Sequence, residues 1–374
     1  MEDQVPPEVP ASADPGPYKR ARWKVRLALT SFLLALVLVT AEGIARVTAR
    51  PEPPPLWHDH PLCWRVQTPD RRIEKREGEG VYNYETNHFG FRGKTVDAPK
   101  RPKDSVRIFF LGDEATLAAE LPEDATFAGL VQSKLETRRA PDDYHVEVAN
   151  AAGPGFYAPV HHATLVHRIL PLQPDVVILM SVANEAKAAL AEGFDERGDG
   201  EASPFAPTPR FMDWLCSVSE LASVIRKRSE PPPPDPTPLD RLGKLADRDP
   251  PPWSVPAFKR WLRLIAAACK DARADLVLCT QPTLYRNETP TTDEEARLPA
   301  GPRDRLRKTI ALYNEEIRSA APREGARLVD LAARVGCDLS NLKDEVRLTR
   351  KGHGTIAEIL VQEIWQDKAA TRRP

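Results

Sequence analysis

Phe109-Phe110-Leu111-Gly112-Asp113-Glu114-Ala115-Thr116 reads as a strand that runs through a tight turn into a helix. The mostly apolar run 106–111 supplies the strand, Gly-Asp ends it, and helix-compatible residues follow. This is the architecture of a nucleophile elbow, which presents one side chain at the carboxyl end of a strand. The residue in that position is Glu114, where a nucleophilic serine is expected.

Outward from the elbow, strands and helices alternate from residue 104 onward. Strands are expected at 106–111, 146–150, 176–180, 276–280 and 327–331, with helical patterns at 126–139, 158–170, 257–272, 302–320 and 352–367. Such alternation marks a parallel sheet covered on both faces. Right-handed crossovers then give an α/β fold, a three-layer α/β/α sandwich with a five-stranded parallel sheet, in which ligands bind at the carboxyl ends of the strands. One segment, about 186–256, breaks the rhythm: it holds an acidic glycine-containing stretch, a short helix around 211–227 and proline runs at 231–238 and 250–252. A connection of that length is a functional or a disordered insertion.

Near the start of the chain, Lys19, Arg20, Arg22, Lys24 and Arg26 precede an apolar run at 27–41. Continued through Gly43, Ile44, Ala45 and Val47, the run reaches the roughly 20 residues a spanning helix needs. The basic flank predicts a cytoplasmic tail (1–24), an uncleaved transmembrane signal anchor (25–47) and an extracytoplasmic remainder at the cell membrane. A cleaved signal peptide competes, because Val39-Thr40-Ala41 offers small residues at a cleavage site. A proline-rich spacer and an aromatic strap follow at 48–103, and the main domain at 104–370. The prolines of 50–55 make the spacer semi-rigid.

Composition narrows the function classes. A formal charge of −1 over 374 residues gives no electrostatic case for nucleic-acid binding. Five widely spaced cysteines without a CxxC argue against a disulfide framework and a zinc site, and Cys269 and Cys279 read as buried small hydrophobes. His161, His162 and His167 are too few for a metal centre. No metal or cofactor is expected.

Four blocks then resemble the SGNH (GDSL) hydrolases over about residues 80–370. The elbow is similar to the family's Gly-Asp-Ser-Leu block, with Glu114 in place of the serine. Asn150-Ala151-Ala152-Gly153-Pro154-Gly155-Phe156 is similar to the second block, with Gly155 at the oxyanion glycine. Ser181-Val182-Ala183-Asn184-Glu185 resembles Gly-x-Asn-Asp, keeping Asn184. Asp344-Glu345-Val346-Arg347-Leu348-Thr349 resembles Asp-x-x-His-Leu-Thr, keeping Asp344 and replacing the histidine by Arg347. Asn87-His88-Phe89-Gly90-Phe91-Arg92-Gly93 is similar to a lead-in of membrane-anchored bacterial members. The resemblance implies a flavodoxin-like sheet and an esterase site in which serine attacks, histidine removes its proton, aspartate orients the histidine, and the elbow amide, glycine and asparagine hold the oxyanion.

By these positions the site residues are Glu114, Gly155, Asn184, Asp344 and Arg347. Arginine stays protonated and offers no lone pair, so it cannot be the base. Serine and histidine touch in the resembled fold, so Glu114 and Arg347 are expected to form an ion pair, with Asp344 as a second acceptor. Independent loss at an exposed, eroding site is the competing reading. His353 is weighed as a substitute base and read as an ordinary polar residue at the entrance of the last helix. Asp113 is read as a support for the turn. The expectation is a membrane-anchored, catalytically degenerate protein that binds an envelope glycan, peptide or protein. The alternative is an active esterase or O-acyl transferase acting on envelope esters with non-standard residues.

Overall fold

The central strand β5 (Ser105–Gly112) is buried at every position, as an apolar run must be when both sheet faces are covered. Its one charged side chain, Arg107, is fully buried, with Nε 2.7 Å from Glu147 Oε2 on the neighbouring strand and Nη1 donating to the Leu172 carbonyl at 2.5 Å. On either side lie β6 (His145–Asn150) and β7 (Val176–Met180), followed by β8 (Asp275–Cys279) and β9 (Arg327–Val329). All pair in parallel in the order β6-β5-β7-β8-β9. In this flavodoxin-like order the reversal point falls beside β5, and the clefts open at its carboxyl end. Gly112 ends β5 because a Cβ there would lie 2.1 Å from Thr116 Oγ1 and 2.5 Å from the Met180 carbonyl oxygen.

In this computed structural model the described residues are 17–48, 55–77, 80–93, 96, 105–138, 145–195, 218, 219, 221, 222, 224, 225, 237–286, 291–298 and 301–371. The expected spacer at 50–55, the short helix at 211–227, the proline run at 231–238 and Cys216 lie wholly or mainly outside them. The chain divides into two units, residues 1–53 with 207–235 and residues 54–206 with 236–374.

In the first unit a helix, α1 (Pro17–Thr48), contains a stretch, Arg22–Thr48, long and apolar enough to cross a membrane. Glu42, the acid within it, accepts from Ser219 Oγ at 2.8 Å and Leu221 N at 3.0 Å, and pairs with Arg46 at 2.7 Å.

In the second unit, helices flank the sheet: α2 (Glu114–Leu117), α3 (Phe127–Arg138), α4 (Ala158–Thr164), α5 (Ala183–Leu190), α6 (Ser254–Asp271), α7 (Thr292–Arg297), α8 (Arg303–Glu324), α9 (Leu331–Arg334) and α10 (Arg350–Thr371). The result is the expected three-layer α/β/α sandwich. The helix expected over 158–170 is broken into α4, a wide π turn (Leu165–Ile169) and a 3-10 turn (Leu170–Leu172). Pro171, which cannot donate to a continuing helix, sits inside that last turn. The aromatic strap is built as two antiparallel hairpins, β1 (Trp57–His60) with β2 (Trp64–Gln67) and β3 (Arg72–Glu77) with β4 (Gly80–Glu85).

Candidate active-site cleft

Asp113 builds the elbow. Its buried carboxylate accepts from Ala115 N at 2.9 Å and Thr116 N at 3.4 Å, capping the single turn of α2. Its other oxygen accepts from Gln281 Nε2 at 2.7 Å. Burial, with the neighbouring Glu114 charge second, pushes the Asp113 pKa up to about 7. Gln281, the second residue after β8, also accepts from the backbone N–H groups of Val182 and Ala183 at 2.6 and 2.7 Å, and so caps α5. Asn150 ties the second block to the elbow by donating from Nδ2 to the Thr116 carbonyl at 2.7 Å.

Glu114 stands where this framework presents the elbow side chain. Its Oε2 accepts from Asn184 Nδ2 at 3.0 Å and from Gly155 N at 3.3 Å. The two donors that the resemblance assigns to an oxyanion are therefore engaged by a resident carboxylate. Asn184 is fully buried, and its amide also donates to the Phe156 carbonyl at 3.1 Å, which fixes its orientation. Gly155 has φ +66°, a left-handed conformation suited to glycine. A Cβ there would also meet Thr237 Oγ1 at 2.3 Å, so the loop beginning at Thr237 packs directly on the glycine.

Arg347 lines the same cleft, a cavity of about 520 Å³ that also includes Glu120, Pro154, Asp344 and Glu345. Its guanidinium is bound by Asp344, with Nε at 2.6 Å and Nη2 at 2.5 Å from Oδ2. The expected Glu114–Arg347 ion pair does not form. Asp344, three residues earlier in the same loop, captures the arginine fork locally, while Glu114 is turned toward Gly155 N in the loop after β6 and Asn184 Nδ2 at the start of α5. A second cation at the cleft's edge is Lys187 of α5, paired with the cleft residue Glu345. Burial works against its charge, but Glu345 and then Glu114 more than offset this, and its pKa is raised. Glu345 also accepts from Tyr285 OH at 3.1 Å. Glu185, at the position of the block's aspartate, is buried, and desolvation drives its pKa well up.

His353 is not at the cleft. Because α10 begins at Arg350, His353 turns inward, stacks on Phe127 with ring centroids 5.4 Å apart and accepts from Phe127 N at 3.1 Å. Burial pushes its pKa down to about 3. His161 is likewise fully buried, its pKa down to about 3 by desolvation, and neither ring nitrogen has a hydrogen-bond partner among the described residues. Cys63, Cys269 and Cys279 are buried and unpaired. Among the described residues no group of three or more His, Cys, Asp or Glu is placed to hold a metal ion.

These shifts set opposing pH dependences. A histidine with a folded pKa near 3 binds fewer protons than the unfolded chain below about pH 6.5, so its contribution is lost as pH falls from 6.5 toward 3. Asp113, raised from 3.8 to about 7, binds more protons when folded, so its contribution declines as pH rises from 4 to 7. Substituting His161 by leucine removes the first effect. The variant is expected to gain about 1 kcal/mol per pH unit over the native chain as pH falls below 6.5, read as the difference between their melting temperatures from pH 7 to 4.5. Parallel pH profiles would show that His161 is protonated in the fold.

Gln281, Lys187 and Glu345 were not singled out from the sequence. Gln281 carried a usable signal, since it follows the carboxyl end of a strand in an α/β sheet.

No protein-family model matches the sequence, and no curated protein matches it. Among solved structures the chain is similar to the acetyl xylan esterase AlAXEase, with 16% identity and a TM-score of 0.42 over 69% of this chain and 100% of that one. It is similar to Axe2, an acetylxylan esterase from Geobacillus stearothermophilus, with 15% identity and a TM-score of 0.43 over 70% and 96% of the two chains. A lipase/acylhydrolase from Enterococcus faecalis gives 14% identity and a TM-score of 0.41 over 69% and 95%. The order of the five parallel strands, with the elbow, Gly155 and Asn184 blocks after successive strands and the Asp344 block before the last helix, gives this chain an SGNH-hydrolase-like fold.

Proposed function

We propose that the chain is a membrane-anchored, extracytoplasmic protein of the cell envelope whose SGNH-like cleft serves binding or structure and not ester hydrolysis. The observation that carries this reading is the seat of Glu114. Its carboxylate accepts from Gly155 N and Asn184 Nδ2, the donors that an esterase keeps for the oxyanion of its transition state. A substrate carbonyl oxygen entering there meets an occupied site, and charge developing on it faces a fixed negative charge. Two further observations point the same way: Arg347 is a permanent cation tied to Asp344, and His353, the candidate substitute base, lies away from the cleft, buried against Phe127. The basic flank of α1 supports an orientation with the second unit outside the membrane. A glycan, peptide or protein of the envelope is the proposed occupant of the open cleft.

The purified full chain in detergent is expected to resist labelling by a fluorophosphonate and to leave p-nitrophenyl acetate unhydrolysed above a heat-killed control. Labelling is expected only after Glu114→Ser with Arg347→His, which empties the hole and restores a base. Labelling of the native chain at a cleft serine, with turnover, would return the active esterase or acyl transferase to first place.

A further inference from the structure

The last two turns of α1 carry charges of opposite sign, Glu42 and Arg46, and a distant segment of the same unit answers both. Glu42 Oε2 accepts from Ser219 Oγ at 2.8 Å and from Leu221 N at 3.0 Å, while Arg46 Nη2 donates to the Val218 carbonyl at 3.0 Å. Ser219 Oγ in turn accepts from Ala222 N at 3.1 Å, so the helical residues that follow start on a side chain held by α1. The seat is local. Ala45 is buried and Ala41 and Glu42 are half-buried, whereas residues 22–40 are exposed throughout.

Depth follows from helix geometry. Arg26 and Arg46 are 20 residues apart, about 30 Å at roughly 1.5 Å per residue. That matches the roughly 30 Å hydrocarbon core of a bilayer. With the two arginines at the two boundaries, Glu42 lies about 6 Å inside the far one. A carboxylate there is costly unless it is paired, and Glu42 has Arg46, Ser219 and Leu221. The segment that reaches Glu42 is therefore at the same level. Its described residues, 218, 219, 221, 222, 224 and 225, include no charged side chain, and Val218 and Ile225 are 49% and 55% exposed. At this level α1 also exposes apolar side chains, Ile44 and Val47. Arg226-Lys227-Arg228 follow in the sequence, the basic residues typical of segments that lie in a membrane interface.

We propose that the segment around 218–225 is a second membrane contact, which seats Val218 and Ile225 in lipid at the interface where α1 ends, with Glu42 and Arg46 as its clasp. The partner is the bilayer itself, and an apolar face at such an interface sits about 5–10 Å into the boundary between headgroups and acyl chains. The contact rests on the reading of α1 as a membrane anchor and is independent of what the Glu114 cleft binds.

The test uses the full chain in liposomes of equal parts phosphatidylcholine and phosphatidylglycerol, with an environment-sensitive fluorophore on single cysteines. Cys216→Ser and Cys337→Ser form the background, and the buried Cys63, Cys269 and Cys279 are kept. Labels are placed at Val218, at Ile225, at Leu34 in the middle of α1, and at Leu312, an exposed position of α8 in the second unit. The Val218→Cys and Ile225→Cys labels should be quenched by lipids brominated near the headgroup and shielded from aqueous iodide, whereas Leu312→Cys should show the reverse. Glu42→Ala with Arg46→Ala should move Ile225→Cys toward the behaviour of Leu312→Cys and leave Leu34→Cys in lipid. Iodide access at 218 and 225 equal to that at 312, with Leu34→Cys quenched by lipid, overturns the second contact alone. An unquenched Leu34→Cys overturns the anchor and this contact together. Shielding of 218 and 225 from both quenchers marks a protein partner, such as a second copy of the chain, and also overturns the proposal. Lipid quenching at 225 that survives the double alanine change overturns the clasp.

Discussion

Arg92→Ala is expected to cost about 3 kcal/mol or more of folding stability and to lower the melting temperature of the full chain by more than about 6 °C. The side chain is 1% exposed and its guanidinium is spent on one loop. Nη1 donates to the Leu117 and Ala118 carbonyls at 2.5 and 2.6 Å, Nη2 to the Leu121 carbonyl at 2.5 Å, and Nε lies 2.6 Å from Glu123 Oε2. The Tyr84 ring packs against it at 4.7 Å. Truncation strands three carbonyls and a carboxylate beside a void, and each unmet group costs about 1–3 kcal/mol. Arg92→Lys keeps the charge but loses the fork and is expected to recover less than half of the loss. A shift under about 2 °C for the alanine variant would mean that the strap does not hold the loop after α2.

The end of α2 and that loop carry Leu117, Ala119 and Glu120 into the cleft wall, so the strap positions the site as well as covering the sheet. The sequence pattern exposed the Asn87-to-Gly93 lead-in but not its use. A buried arginine that gathers carbonyls leaves no periodic trace, because its partners are backbone atoms some 25 to 29 residues away. The hairpins before it were hidden for a related reason. Arg72–Glu77 alternates charge with charge around Ile73 and pairs as a half-exposed ribbon, without the apolar alternation that betrays a strand.

The sheet, by contrast, was legible because buried parallel strands are written as short apolar runs, and β5 to β9 all fall where those runs lie. The positions of Gly155 and Asn184 were legible as strand-end residues. What Glu114 does there was not. The resemblance puts Glu114 and Arg347 in one cleft, yet partner choice turns on ångström-scale differences among competing donors. Two donors were already aimed at the elbow, and Asp344 was already beside the arginine. The same reasoning explains Lys187, which a sequence shows only as one basic residue in an alanine-rich helix.

Lys187→Met is expected to destabilise the full chain by about 3 kcal/mol, the penalty for breaking a largely buried ion pair from one side. Lys187 and Glu345 are each 13% exposed, and Glu345 would keep only neutral hydrogen-bonding partners such as Tyr285. The substitution also removes a cation that lowers the Asp113 pKa, so Asp113 should titrate above its native value of about 7. Adding Glu345→Gln neutralises the stranded acid, and the double variant should be closer to the native chain than Lys187→Met alone, a coupling of about 1–3 kcal/mol in a double-mutant cycle. The measurement is denaturant unfolding of all four proteins at pH 7.5. Additive losses within ~0.5 kcal/mol would place Lys187 outside the cleft's charge network. A strong coupling would mean that Lys187 and Glu345 stabilise each other inside the protein, beside the cleft in which Glu114 is held by Gly155 N and Asn184 Nδ2.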